Sequence, residues 1–236
     1  MYETRMVRVG NLTLGGHNPV WVQSMTNTDT RDAQATLAQI RALAKAGCDI
    51  VRVSVYDEDC ARAVRTLVDG SPVPLVADIH FNHRLAIAAA ENGIHKLRIN
   101  PGNIGEAHVR ELAAAAKAHH IPIRIGVNTG SIEKDILAKY GQPCAEGLVE
   151  SALNHARMLE KVGFEDIVLS MKASEIVVSR FIAPGPLVAM QTPTLPVERA
   201  YPCAMKPPPC SCLGRITRIF FERVKALCRS MDEPPG

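Results

Sequence analysis

Six short runs of strand-forming residues, each separated from the next by an Ala- and Leu-rich segment, constrain this chain more than any other feature. The runs occupy 20–25, 49–55, 74–80, 96–100, 121–128 and 166–172. Between them lie segments such as 33–46, 61–68, 85–92, 107–119 and 146–162, whose composition favours helix. Gly47, Gly93 and Gly163 each follow a predicted helix and precede a run, which is where a helix-ending glycine belongs. Asp32 and Ser71 fall near turns. Strand and helix alternating in units of about 25–30 residues predict an α/β fold with parallel strands and crossover helices. The near-continuous apolar runs fit a sheet covered on both faces. A hairpin-like piece at 7–14 precedes the first run. At this level a doubly wound sheet and a (β/α)8 barrel both remain open; the barrel would need two more strands.

The regular pattern does not extend to the last residue. Residues 1–183 contain 6 prolines, whereas the 53 residues 184–236 contain 10. Pro207, Pro208 and Pro209 exclude helix and strand locally. Within this tail only 215–231 regains helical spacing, through Ile216, Ile219, Phe220, Val224 and Leu227. The organised part is therefore expected to be 1–178, with 179–236 an irregular tail. Four of the seven cysteines, Cys203, Cys210, Cys212 and Cys228, fall in the tail, with Cys48, Cys60 and Cys144 outside it. An odd count without a CxxC pair indicates neither a disulfide framework nor a standard zinc site, and no metal site is assigned. Cys48, after a helix-ending glycine, reads as a buried small hydrophobe.

Composition narrows the function classes. Aromatic residues are 4% of the chain and the formal net charge is +3, which argues against a nucleic-acid binder. No run of 18 apolar residues occurs, and the N-terminal segment lacks the apolar core of a signal peptide. The expectation is a cytoplasmic protein with neither a membrane nor a nucleic acid as partner.

The placement of cations is more informative than their number. Four runs carry a basic residue in or at the end of apolar text: DIVRVSV, HKLRIN, IPIRIGVN and DIVLSMKAS, giving Arg52, Arg98, Arg124 and Lys172. A cation in a buried strand is costly unless it is paired. In a parallel α/β fold the C-terminal strand ends converge on one mouth, which in barrels is the active site. Asp78, His80, Asn100, Asn128 and Ser131 lie at neighbouring strand ends, and Gly102, Gly105, Gly126 and Gly130 would admit a ligand close to backbone N–H groups. Such a set suits a phosphate or diphosphate. The competing structural reading pairs these cations with Asp49, Asp78 and Asp166. His80 shares a strand face with Asp78 and is either an acid/base, a phosphate donor or a structural residue. His83, His95, His119 and His120 read as solvated loop or helix-end residues. Lys172 could also form a Schiff base.

Six segments together resemble one family: VQSMTNTDT (22–30), DIVRVSV (49–55), VPLVADIHFNHRLA (73–86), LRINPGNIG (97–105), IPIRIGVNTGSIEKD (121–135) and SMKAS (170–174). They are similar to the 4-hydroxy-3-methylbut-2-enyl diphosphate synthases of the non-mevalonate isoprenoid (terpenoid) pathway, from about residue 4 to residue 177. The resemblance implies a TIM-barrel domain related in shape to dihydropteroate synthase. It implies an oxidoreductase acting on 2-C-methyl-D-erythritol 2,4-cyclodiphosphate, whose ring is reductively opened with two electrons. It implies a diphosphate site at Arg52, His80, Arg98, Asn100, Arg124, Asn128, Ser131 and Lys172. It further implies a homodimer, flavodoxin or ferredoxin as reductant, and an iron–sulfur [4Fe–4S] cluster in a C-terminal domain, held by three cysteines (two in a CPTC-type motif) and a glutamate.

The chain departs from that pattern after Ser174. No CPTC motif follows, the two barrel segments expected next are missing, and Cys210 and Cys212 match no ligand of the family. The expectation is an incomplete TIM barrel of about six strands without the [4Fe–4S] domain, its tail the product of a frameshift. Six strands would leave two unpaired edges and an apolar barrel interior facing water. Such a chain, expressed alone, should be poorly soluble and unable to reduce the substrate; a non-catalytic diphosphate-binding remnant is the alternative, and a barrel lyase or aldolase using Lys172 a more distant one. Resequencing codons 165–240 in three frames tests the frameshift. A second frame encoding the missing strands and CPTC supports it, and an uninterrupted single frame overturns it.

Overall fold

The computed structural model describes residues 5–19, 21–80, 82–100 and 104–172. The expected tail at 179–236, with its cysteines and its helix at 215–231, lies outside the described residues. A two-stranded hairpin comes first, β1 (Val7–Val9) paired antiparallel with β2 (Leu12–Leu14). The main sheet then contains β3 (Gln23–Met25), β4 (Ile50–Ser54), β5 (Leu75–Asp78), β6 (Lys96–Ile99), β7 (Ile123–Asn128) and β8 (Ile167–Lys172). Helices α1 (Ala33–Lys45), α2 (Glu58–Gly70), α3 (His83–Glu91) and α4 (Glu106–Ala118) alternate with the strands up to β7. Two helices, α5 (Lys134–Tyr140) and α6 (Ala145–Glu160), lie between β7 and β8. Helix α5 lay outside the sequence reading, because its seven residues are too few to show a period.

Strand order decides between the two folds left open by periodicity. The sheet runs β3-β4-β5-β6-β7-β8, so every strand neighbours its successor in sequence. A doubly wound sheet reverses its order at a switch point; this one never does. The fold is a six-stranded parallel α/β arrangement of TIM-barrel type.

Local chemistry explains the element boundaries. Asp32 caps α1 by accepting from the Ala35 N–H at 2.9 Å, and Asp57 caps α2 from Cys60 at 2.8 Å. Asn82 does the same for α3 from Arg84 at 2.9 Å. Each cap satisfies a backbone donor that the first helical turn leaves without a partner. Gly47, Gly93 and Gly163 have φ of +98°, +84° and +74°, the left-handed geometry expected of them. Ser71 closes α2, its hydroxyl donating to the Val73 carbonyl at 2.6 Å.

The described residues divide into two compact units, one drawn from 5–126 with 154–169 and the other from 127–153 with 170–172. In the first, the register aligns Val51 with Leu75, Val53 and Leu97 with Ala77, Leu97 with Ile123, and Ile99 with Ile125. All are buried, and together they form one apolar face of the sheet. The helices offer matching stripes: Cys60, Ala61, Val64 and Leu67 on α2, and Val109, Leu112, Ala113 and Ala116 on α4. Successive helices α1, α2, α3 and α4 pack side by side. In the second unit, α5 and α6 are joined by Lys139 and Tyr140, which both donate to Glu150 at 2.8 Å.

The alternate positions of the strands carry a different chemistry. Gln23, Arg52, Asp78, Lys96, Arg98 and Arg124 share the other face. The Lys96 ammonium on β6 reaches Gln23 Oε1 on β3 at 3.4 Å, although three strand spacings of a flat sheet would separate them by about 14 Å. The sheet is therefore curled from β3 to β6, with its charged face inside the curl. This corrects the expected wholly apolar interior: strand parity sends most aliphatic residues outward beneath the helices, while the inner face carries these charges beside Ile50 and Val76. Leu97→Ala, on the outer face, should cost about 2–5 kcal/mol; a shift of the urea unfolding midpoint measures it.

Candidate anion site

Asp78 is the centre of the inner face. It ends β5 and is 4% exposed. Its Oδ1 accepts from Arg98 Nη1 at 2.9 Å, and its Oδ2 lies 3.4 Å from Arg52 Nε. One carboxylate thus faces two guanidiniums carried by the strands on either side. Arg52 is also held by Met25, whose sulfur accepts from Nε at 3.2 Å and Nη2 at 3.0 Å. Arg98 Nη1 lies 3.4 Å from His80 Nε2; because a guanidinium only donates, the imidazole nitrogen there is the acceptor. Asp78 and His80 meet the same arginine, as their shared strand face anticipates.

Arg124 stands beside Arg98 in register on β7 and is 4% exposed. Burial, followed by the neighbouring Arg52 and Arg98 charges, lowers its pKa to about 10, with Asp78 opposing; it keeps its charge at neutral pH. Burial also lowers Arg52, Asp78 opposing and Arg98 adding to the fall. Lys96, two residues before Arg98 on the same face, is 2% exposed. It was not among the cations read from the sequence, yet the signal was available in HKLRIN, where period-two spacing puts Lys96 and Arg98 on one side. Four cations therefore crowd an inner face, two of them, Arg52 and Arg98, in contact with Asp78.

The rival pairing with carboxylates is correct for Asp78 alone. Asp49 instead accepts from the Val22 N–H at 2.8 Å, ordering the entry to β3. Asp166 lies 3.8 Å from Arg5, and both are exposed. Of the other residues expected from the sequence, Asn100 is buried immediately after β6. Asn128 and Ser131 engage each other: Asn128 N–H donates to Ser131 Oγ at 3.1 Å, and Ser131 Oγ to the Asn128 carbonyl at 3.1 Å. They fix a short turn, Thr129–Ser131, at the end of β7. Lys172 is the last residue of β8; its side chain, and Gly102, lie outside the described residues. The expected close approach at Gly126 is real but internal. A Cβ there would come within 2.7 Å of Arg98 Nε, so the missing side chain is the seat of the Arg98 guanidinium.

Two histidine readings need correction. His95 is half-buried, and its Nδ1 accepts from the Leu75 N–H at 3.0 Å; burial lowers its pKa. His83 stacks on His108, centroids 3.9 Å apart and planes 7° from parallel, with Glu111 at 3.5 Å. Rings in parallel planes cannot both aim an in-plane lone pair at one ion, so the trio as it stands is a stacking contact. A cavity of about 320 Å³ lies at the N-terminal strand ends, lined by Arg8, His95, His119 and His120. It sits at the end of the strands that in barrels carries stability rather than chemistry.

The described cysteines do not fit an iron–sulfur cluster. Cys48 and Cys60 are buried, and Cys144 accepts from the Gly147 N–H at 3.3 Å at the start of α6. Among the described residues no cysteines group with other metal-ligating side chains.

The fold is similar to that of dihydropteroate synthase from Stenotrophomonas maltophilia, with a TM-score of 0.53 and 16% identity over 71% of this chain and 65% of that one. It is similar also to the spore coat polysaccharide biosynthesis protein spsE of Bacillus subtilis, with a TM-score of 0.53 and 13% identity over 76% and 51%. In sequence, the chain is 59% identical over 175 residues to the 4-hydroxy-3-methylbut-2-en-1-yl diphosphate synthase (flavodoxin) of Magnetococcus marinus, covering 74% of this chain and 47% of the relative. The protein of that name from Desulfotalea psychrophila is 57% identical over 178 residues, 74% and 49% of the two chains. The chain spans about half the length of these curated relatives. The model of the GcpE TIM-barrel domain matches residues 4–189, ending later than the 177 expected from the motifs, and the chain belongs to that family.

Proposed function

We propose that this chain is the substrate-binding barrel portion of a 4-hydroxy-3-methylbut-2-enyl diphosphate synthase, and that its inner arginines bind the diphosphate of 2-C-methyl-D-erythritol 2,4-cyclodiphosphate. The observation that carries this reading is the gathering of three guanidiniums around Asp78. Arg52 and Arg98 share that one carboxylate, with Arg124 buried beside them. Such a face is stabilised by an anion with several oxygens, which accepts charge-assisted hydrogen bonds from guanidiniums. His80, exposed next to Arg98, offers the N–H of its other ring nitrogen as a further donor. Asn100, Asn128, Ser131 and Lys172 complete the proposed set on the strength of the family motifs.

In this reading the chain holds and orients the cyclodiphosphate. Reductive ring opening needs two electrons from a [4Fe–4S] cluster, with flavodoxin or ferredoxin as donor in the intact enzyme. The described cysteines offer no set of ligands for that cluster, and no reductive step is assigned to this chain. The same observation favours binding without turnover as the second reading. The two part on one assay: formation of the hydroxymethylbutenyl diphosphate with reduced flavodoxin supports the first, and binding without product the second.

Calorimetry with the cyclodiphosphate tests the site. Arg98→Met removes a charged donor and should weaken binding by about 10- to 100-fold, while far-ultraviolet dichroism stays native; unchanged affinity would exclude the site. Gly126→Ala should weaken binding in the same assay by displacing the Arg98 guanidinium, although the substituted residue bears no charge. Affinity of the unmodified chain should also fall as salt rises from low to physiological strength.

A further inference from the structure

The inner face holds one cation that the proposed diphosphate site does not use. Lys96 is 2% exposed, deeper than Arg98 on the same strand. Its hydrogen bond is a long one, 3.4 Å to the neutral Gln23 Oε1 across the curl. The residue beside it on β5 is Val76, which has no charge to offer. The charged groups around it are Arg52 on β4, Asp78 on β5, Arg98 on its own strand and Arg124 on β7. Asp78 is engaged by the two arginines above, and among the described residues no carboxylate pairs with the Lys96 ammonium. An ammonium removed from water and set among guanidiniums has every reason to shed its proton. Burial, then Arg124, then Arg52 bring its pKa from 10.5 to about 7.

We propose that Lys96 is a second-tier member of the anion site, neutral when the site is empty and protonated when a multivalent anion occupies the arginines above it. The inference rests on the anion-site reading and extends it to a residue outside the diphosphate set. An anion supplies the counter-charge that Lys96 lacks among the described residues. The proton comes from solvent and goes to Lys96 Nζ, so no other group changes its bonding. The sign follows directly. Above pH 7 the empty site holds Lys96 neutral; filling the site raises its proton affinity towards the ordinary lysine value; binding therefore takes up a proton, and affinity falls as pH rises. Below pH 7 Lys96 is already charged and the linkage disappears.

Inorganic pyrophosphate is the probe. Its calorimetric titration at pH 8.5, in two buffers of different ionisation enthalpy, gives the protons taken up per ligand. The full chain should take up about one proton more than Lys96→Met, the ligand's own protons cancelling in the comparison. Between pH 7 and 9 the full chain should lose up to about tenfold more affinity per pH unit than the variant. A measurement that needs no variant uses 13Cε-lysine-labelled protein: one lysine signal should titrate near pH 7 without pyrophosphate and stay in its charged position with it. Equal proton uptake in the two proteins, or no lysine titrating near neutrality, overturns the role of Lys96 and leaves the arginine site standing. No pyrophosphate binding anywhere between pH 6 and 9 overturns both.

Discussion

The contact between Asp78 and its two arginines is the interaction on which the inner face depends. A guanidinium on a buried strand must find a counter-charge. Asp78 meets that need for Arg52 and Arg98 at once, from the strand between them. The arrangement links β4, β5 and β6 through side chains as well as through the backbone ladder. Arg124 and Lys96 lie on the same face, which gathers four cations among the described residues. A fold that tolerates such a gathering has strong support elsewhere, and here that support is the aliphatic outer face with its covering helices. Structural and ligand-binding readings of the cations are therefore not rivals. The carboxylate keeps Arg52 and Arg98 in place, and in the proposed function those held guanidiniums are what a ligand would meet.

Much of this was legible in the residues, for identifiable reasons. The six strands announced themselves because parallel strands buried on both faces leave continuous aliphatic text. Arg52, Arg98 and Arg124 stood out because each interrupts such text. Lys96 did not, because it opens its run rather than interrupting it, and only counting by twos places it with Arg98. The barrel was not legible from periodicity; it rests on strand order, a long-range property. The partner of Asp49 was likewise invisible, because the Val22 N–H it accepts lies 27 residues away. His95 reads as a loop residue in one dimension and proves to be an acceptor for the first N–H of β5.

Family membership and local geometry bear on different parts of the functional reading. The match covers residues 4–189 and half the length of the curated relatives, so it concerns the barrel. The cysteines described here are packed into that barrel as small hydrophobes or as a helix cap. Among the described residues the cysteines form no set of cluster ligands, whereas the inner face gathers the cations on which the proposed anion binding rests.

The consecutive order of the strands has a consequence for how the molecule is made. Each new strand pairs with the one synthesised just before it, so a nascent chain leaving the ribosome can add one strand–helix unit at a time to an existing edge. Loop closures between successive units stay short, and their entropic cost stays small. Growth of this kind has no step at which distant segments must find one another until the wall is asked to close, and it halts with a live edge wherever translation halts.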